Sequence, residues 1–177
     1  MGIVQGVNGM VLQGNLMAYS ASFSALTPVA TATDFVSLIG SATKNIRLLR
    51  IELFGVATAA AVVDVSLIKR TTADTGGAST PIVVPRYDST DIAATASANT
   101  WTANPGVLGT SQGNVRTSKL GLTASPAVGN SLVWEFWRDG TAPVLRGVGE
   151  GLHLSWNGAA VPAGTLLNGY LEWDELG

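Results

Sequence analysis

Apolar and polar residues alternate with a period of two along most of the chain, the pattern of strands that bury one face. In Asn45 to Phe54, Ile46 and Leu48 flank Arg47, and further on Ile51 and Leu53 alternate with Arg50 and Glu52. The Leu48-Leu49 doublet breaks the phase, as an extra residue in a β-bulge does. In Ala60 to Arg70, Val63, Val65 and Leu67 share one face, and Asp64, Ser66 and Arg70 share the other. Gly55 to Ala59 is the predicted connection. The Ala-rich run Ala57 to Ala61 spans only about one helical turn and is flanked by β-branched residues, so strand or turn is expected there.

The same alternation predicts strands at Asp34 to Ile39, Val115 to Thr123, Ser131 to Arg138, Gly151 to Trp156 and Thr165 to Asp174, with weaker candidates at Leu16 to Ser24 and Ile92 to Trp101. In Ser131 to Arg138, Leu132, Trp134 and Phe136 oppose Val133, Glu135 and Trp137. A strand apolar on both faces is expected either centrally in a sheet or beneath a neighbouring subunit. About eight main strands and no convincing helix predict an all-β fold, an antiparallel β-sandwich of jelly-roll type. The Gly-rich residues 1–15 are expected to form an extended N-terminal arm, and residues 16–177 a single domain. Thr71 to Thr110, punctuated by Pro81, Pro85 and Pro105, is expected to be a long loop within that domain. No internal repeat of fixed period is visible, which removes propellers and solenoids.

Composition changes the picture in one respect. Of the 177 residues 46% are apolar and only 12% charged, against roughly 25% charged in ordinary soluble proteins. Disorder is excluded by that balance. A net charge of -2 supplies no attraction toward polyphosphate, so nucleic acid is not an expected partner. A surface so poor in charge is expected to be covered in part by other subunits. There is no Cys, the first charged residue is Asp34, and no apolar run approaches the roughly 18 residues of a membrane span, so synthesis in the cytoplasm without signal peptide or membrane anchor is expected.

Candidate chemistry is sparse. His153, the only histidine, alternates with Leu152 and Leu154 and is expected on the outer, exposed face of its strand. No Gly-x-Ser-x-Gly elbow accompanies it. Asp88 and Asp91 form either a weak calcium loop or an Asx-turn, and the missing EF-hand ligands favour the turn. Glu172, Asp174 and Glu175 are expected to be a solvated strand end. Gly147, Gly149 and Gly151 lead into a strand, not a helix, and so form turns instead of a phosphate cradle. Trp134, Trp156 and Trp173 fall on core-facing positions, which leaves Trp101 and Trp137 as the exposed indoles. No catalytic, cofactor-binding or metal site is expected.

The segment Lys69-Arg70-Thr71-Thr72-Ala73-Asp74-Thr75-Gly76-Gly77-Ala78-Ser79-Thr80, followed by Val84-Pro85-Arg86-Tyr87-Asp88-Ser89-Thr90-Asp91-Ile92-Ala93-Ala94-Thr95-Ala96, resembles structural proteins of tailed-bacteriophage virions. The resemblance runs on through Thr102-Ala103-Asn104-Pro105 to Gly169-Tyr170-Leu171-Glu172-Trp173-Asp174-Glu175, covering residues 34–175. It implies a non-enzymatic jelly-roll head protein located in the virion, a decoration or cement protein that assembles as a homo-oligomer, often a trimer, on the major capsid protein. Under that reading Val4, Val7, Met10 and Leu12 of the arm, with Arg70, Arg86, Tyr87, Trp101 and Trp137, are the expected partner-binding residues. Arg70 and Arg86 would pair with acidic capsid surfaces. The alternatives are a connector or tail structural protein, a carbohydrate- or receptor-binding module of a phage fibre using Trp101, Trp137 or Tyr87, and a polysaccharide-cleaving enzyme built on a carboxylate pair.

Overall fold

A computed structural model describes residues 2–6, 9–13, 17–127, 129–136 and 140–176. Among them the chain is all strand and loop. In chain order the strands are β1 (Gly2–Gly6), β2 (Gly9–Gln13), β3 (Met17–Leu26), β4 (Asp34–Ile39), β5 (Asn45–Ala57), β6 (Ala61–Arg70) and β7 (Ala78–Pro81). They continue as β8 (Ser97–Ala103), β9 (Ser111–Ala124), β10 (Leu132–Glu135), β11 (Val144–Arg146), β12 (Gly151–Ser155) and β13 (Leu166–Leu176). β1 and β2 pair with each other alone, Val4 opposite Val11 and Ile3 opposite Leu12. The expected extended arm is thus a two-stranded hairpin.

All the other strands belong to one curled sheet. Its order is β3-β13-β5-β9-β6-β12-β4-β8-β7, with β10 and β11 also pairing β5. Every pairing is antiparallel except β5 with β9, which is parallel and joins Val56 to Thr123 and Ala57 to Ala124. That short seam makes one continuous, half-closed surface where two separate sheets of a sandwich were expected. The inner sides of both halves share one core. Tyr19, Ile46, Leu48, Ile51, Leu53, Leu171 and Trp173 come from the β3-β13-β5 half, and Val36, Leu38, Val65, Leu67, Leu120, Leu152 and Leu154 from the other. Burial on that scale is the main force closing the sheet, at about 25 cal/mol per Å² of apolar surface.

The strand pattern holds in detail at β5. Glu172 of β13 lies opposite Arg50 and Trp173 opposite Leu48, so Leu49 is the extra residue of a bulge. Its carbonyl accepts a bond from the Phe136 N–H instead. The bulge returns Ile46 and Leu48 to the same inner face as Ile51 and Leu53. The strand expected either centrally or beneath a neighbouring subunit, Ser131 to Arg138, contains β10, which among the described residues pairs with β5. Leu132, Trp134 and Phe136 are buried as the alternation required, whereas Val133 is exposed to solvent. The long loop 71–110 is interrupted by two strands that extend the sheet beyond β4: β8, which overlaps the weaker candidate Ile92 to Trp101, and β7, which was not expected.

β13 crosses β5 closely at Gly169, where an added Cβ would collide with the Glu52 carbonyl oxygen and the Phe23 ring. At Gly121 of β9 nothing lies within 4 Å. Gly169→Ala is therefore expected to lower unfolding free energy by about 1–3 kcal/mol in urea titration, and Gly121→Ala to leave it nearly unchanged.

Candidate functional site

Strands β6, β12 and β4 are adjacent, and their non-core side carries a polar row. The register sets His153 opposite both Ser37 and Ile68, and Arg70 opposite Gly151. In an open sheet this row would be wet. Here the segment following β6 and the residues preceding β9 fold over it, linked to each other by Thr75–Val107 backbone pairing and by the Thr71 N–H to Thr110 carbonyl bond. His153 is consequently fully buried, which corrects the expected exposed histidine. Period-two alternation identified its face correctly but not the loop that covers that face.

Four charged or chargeable groups meet beneath this cover. The Arg70 guanidinium donates to both oxygens of Asp34, Nε to Oδ2 at 2.8 Å and Nη2 to Oδ1 at 3.0 Å, and its Nη1 donates to the Gly109 carbonyl at 3.0 Å. Asp74 Oδ1 lies 3.4 Å from Arg70 Nε and accepts the Gly109 N–H at 2.7 Å. His153 Nδ1 is 2.8 Å from Ser37 Oγ, 3.2 Å from Asp74 Oδ2 and 3.3 Å from Asp34 Oδ2. Ser37 Oγ also accepts the Trp101 indole N–H at 2.7 Å. Gly151 leaves the space that the imidazole fills, since a Cβ there would strike Nε2. Side-chain exposure across Asp34, Asp74, Arg70 and His153 is 5% or less. Burial acts to raise the Asp74 carboxyl, but contacts with His153 and the Gly109 N–H outweigh it and hold the group below the usual aspartate range.

A second clamp holds the other end of the same segment. Glu175 is buried at the end of β13 and accepts bonds from the Thr95 and Ala96 N–H groups, both at 2.9 Å, and from the Thr95 hydroxyl at 2.5 Å. Asp174 is likewise buried and paired with Arg47. The expected solvated strand end is therefore an internal anchor for two of its three carboxylates. Nearby, the Tyr19 hydroxyl donates to the Ile92 carbonyl at 2.9 Å, Tyr87 to Glu172 at 2.6 Å, and Tyr170 to Glu52 at 2.8 Å.

The expected partner-binding residues are scattered by this arrangement. Arg70 is turned inward and engaged with Asp34, so it presents no charge to an external acidic surface. Trp101 is half-buried, its indole N–H directed at Ser37, instead of standing free. Arg86 and Tyr87 are exposed. Val4, Met10 and Leu12 fall in the β1–β2 hairpin, and Val7 and Trp137 lie outside the described residues. Asp88 closes an Asx-turn as anticipated, accepting the Thr90 N–H at 2.8 Å and the Thr90 hydroxyl at 2.7 Å. Trp156 and Trp173 are wholly buried and Trp134 nearly so.

No match comes from protein-family models, curated proteins or solved structures. The residues themselves must carry the functional argument.

Two outcomes follow from the clamps. Arg70→Met leaves Asp34 and Asp74 as buried carboxylates without their cation, and is expected to cost about 3–5 kcal/mol in urea unfolding, with earlier proteolytic cutting in residues 71–110. The tyrosines report the second clamp. Burial, then the charge of Glu175, raises Tyr19; burial, then the bond to Glu172, raises Tyr87; burial, then the bond to Glu52, pushes Tyr170 up to about 12. Raised phenols favour the fold below the unfolded value of 10.0, and that contribution is lost as pH climbs through the folded values. Ultraviolet titration is expected to show tyrosinate forming above that value, with one phenol delayed to about pH 12.

Proposed function

We propose that the chain is a non-enzymatic structural subunit of a tailed-bacteriophage virion, a jelly-roll-type capsid decoration protein that oligomerises, as a trimer, and docks on the major capsid lattice. One observation carries most of this reading. The segment 71–110 is tied down at its two ends by the buried Arg70–Asp34–Asp74–Gly109 contacts and in its middle by the Glu175 carboxylate, yet it turns Val83, Tyr87, Ile92, Val107 and Leu108 outward, Val83 at 85% and Val107 at 66% exposure. Ordered, outward-facing apolar side chains on a pinned loop suit a lasting contact with another protein better than they suit free solvent. The hairpin supports the same reading. A two-stranded ribbon is marginal in water by itself, and this one pairs apolar residues with no charged residue before Asp34.

Catalysis finds less support. The one cluster of titratable groups that includes the histidine is closed beneath the loop, where a polymeric substrate could not reach it. A sugar platform at Trp101 is weakened likewise, because the indole edge is engaged with Ser37.

The experiment is co-sedimentation of the purified chain with phage heads that lack it. The double variant Val83→Asp, Val107→Asp is expected to bind at least about tenfold more weakly, while its stability changes by no more than about 0.5 kcal/mol, as is usual at exposed positions. Removal of residues 2–13 is expected to weaken binding in the same assay. Equal binding by the double variant and the parent would overturn the docking role of the loop, and a monomeric mass in solution would overturn the trimer.

A further inference from the structure

We infer that Asp34, Asp74 and His153 form a binding site for one divalent transition-metal ion of the zinc type, a property that does not depend on the virion reading. Asp34, Asp74 and His153 each offer one ligand atom, all within 4.8 Å of one another, with His153 Nδ1 facing Oδ2 of both carboxylates. The nitrogen lies 3.3 and 3.2 Å from the two oxygens. Zinc bonds of about 2.0–2.1 Å in a tetrahedron set neighbouring ligand atoms about 3.3 Å apart, so these contacts already have the length of a coordination edge. Two carboxylates and an imidazole form a nitrogen and oxygen donor set that zinc accepts.

Hydrogen bonding alone leaves this arrangement incomplete. Asp74 Oδ2 has no hydrogen-bond donor, although its side chain is only 1% exposed and it points at His153. Leaving a buried carboxylate oxygen without a donor is expensive. A ring N–H has one direction, and Nδ1 has Ser37 Oγ nearest, at 2.8 Å, with the two carboxylate oxygens at 3.2 and 3.3 Å. Charge points the same way. Asp34 and Asp74 carry two negative charges against the single positive charge of Arg70, while neighbouring Lys69 is taken by Glu150 at 3.1 Å. One further cation is needed in a space closed to water.

The surroundings hold the two carboxylate donors as a metal site requires, while His153 Nε2 is buried without a hydrogen-bond partner, so the ring is oriented by packing against Gly151 and by its Nδ1 contacts. Arg70 fixes the Asp34 carboxylate through both oxygens, the Gly109 N–H fixes Asp74 Oδ1, and the Trp101 indole fixes Ser37, whose hydroxyl lies 2.8 Å from His153 Nδ1. Asp34 comes from β4, His153 from β12 and Asp74 from the covering loop. The ion would therefore tie the loop to the sheet, and loading it would stabilise the closed form. A proton on His153 is the competing cation, and metal analysis separates the two.

The test uses the full chain, purified without a metal-affinity tag, stripped with EDTA and returned to zinc chloride. Elemental analysis after gel filtration is expected to find one zinc per chain, with a higher Tm than the stripped protein. Cobalt(II) in place of zinc is expected to give visible absorption bands of the intensity typical of four-coordinate sites. Asp74→Asn and His153→Gln are each expected to weaken retention about tenfold or more, whereas Asp64→Asn, at an exposed carboxylate, retains the metal. Should the two site variants fail to fold, the zinc content and cobalt spectrum of the parent chain decide by themselves. Absence of both in the parent, or equal zinc retention by folded Asp74→Asn and His153→Gln, overturns the site and leaves the proton as the cation.

Discussion

The forked contact between Arg70 and Asp34 is the interaction on which the upper part of the molecule depends. It joins the end of β6 to the start of β4, two strands separated in the sheet by β12. The same guanidinium reaches the Gly109 carbonyl, and Gly109 in turn donates to Asp74. One side chain thereby fixes both the departure of the chain from β6 and its return toward β9. A buried ion pair of this kind adds little net stability over an apolar replacement of equal shape, because removing the charges from water offsets most of their attraction. Its value is geometric: the planar fork fixes relative positions, and through Asp34 and the Gly109 carbonyl it holds the 71–110 segment over the polar row.

This explains why a chain with so little charge places so much of it inside. Asp34, Arg70, Asp74, Asp174 and Glu175 are all essentially buried, and each contacts a segment distant in sequence. Charge that would ordinarily keep a surface hydrated is used to hold irregular backbone that has no ladder partners of its own. Glu175 is the clearest case, since its carboxylate occupies the position an adjoining strand would take for the Thr95 and Ala96 N–H groups. The exterior keeps scattered charges such as Asp64, Arg86, Arg116 and Lys119 among Thr, Ser, Gly and isolated large apolar residues. A low-charge exterior and a precisely held loop are therefore two consequences of the same allocation.

Local alternation made the regular part of the fold legible. The strands around β5, β6, β12 and β13 follow from period-two patterns, and the Leu48-Leu49 doublet located a bulge to the residue because each side of it has to keep its apolar members inward. Non-local closure was beyond that kind of pattern. Nothing in the residues near Val56 or Thr123 announces the parallel seam that joins the two halves, since two residue pairs leave no periodic signal. The site was hidden for a related reason. His153 and Ser37 sit on the outer phase of their strands, and an outer phase is exposed only if nothing folds over it. Arg70 and Asp74 are only four residues apart, but Asp34 and Gly109 lie 36 and 39 residues from Arg70, too far for spacing to connect them. The available signal was compositional: Asp34 and Arg70 each stand at one end of a strongly apolar strand, where an unpaired charge would be costly.

The two clamps also divide the labour of the loop in a way that bears on assembly. Between Asp74 at one end and Thr95 at the other, the backbone passes through Pro81, Pro85 and the Asp88 Asx-turn, so its conformational freedom is already restricted before any partner arrives. Ordering a free loop of that length on binding would consume a large part of the interaction energy, because each residue fixed costs about 1–2 kcal/mol. A loop ordered during folding transfers that cost from the binding step to the folding step, where the burial of the shared core offsets it. In the proposed docking role, exposed Val83 and Ile92 contribute their apolar area to association almost undiminished. Under the proposed docking role, buried electrostatics in the interior and apolar contact at the surface are linked through the stiffness of one segment.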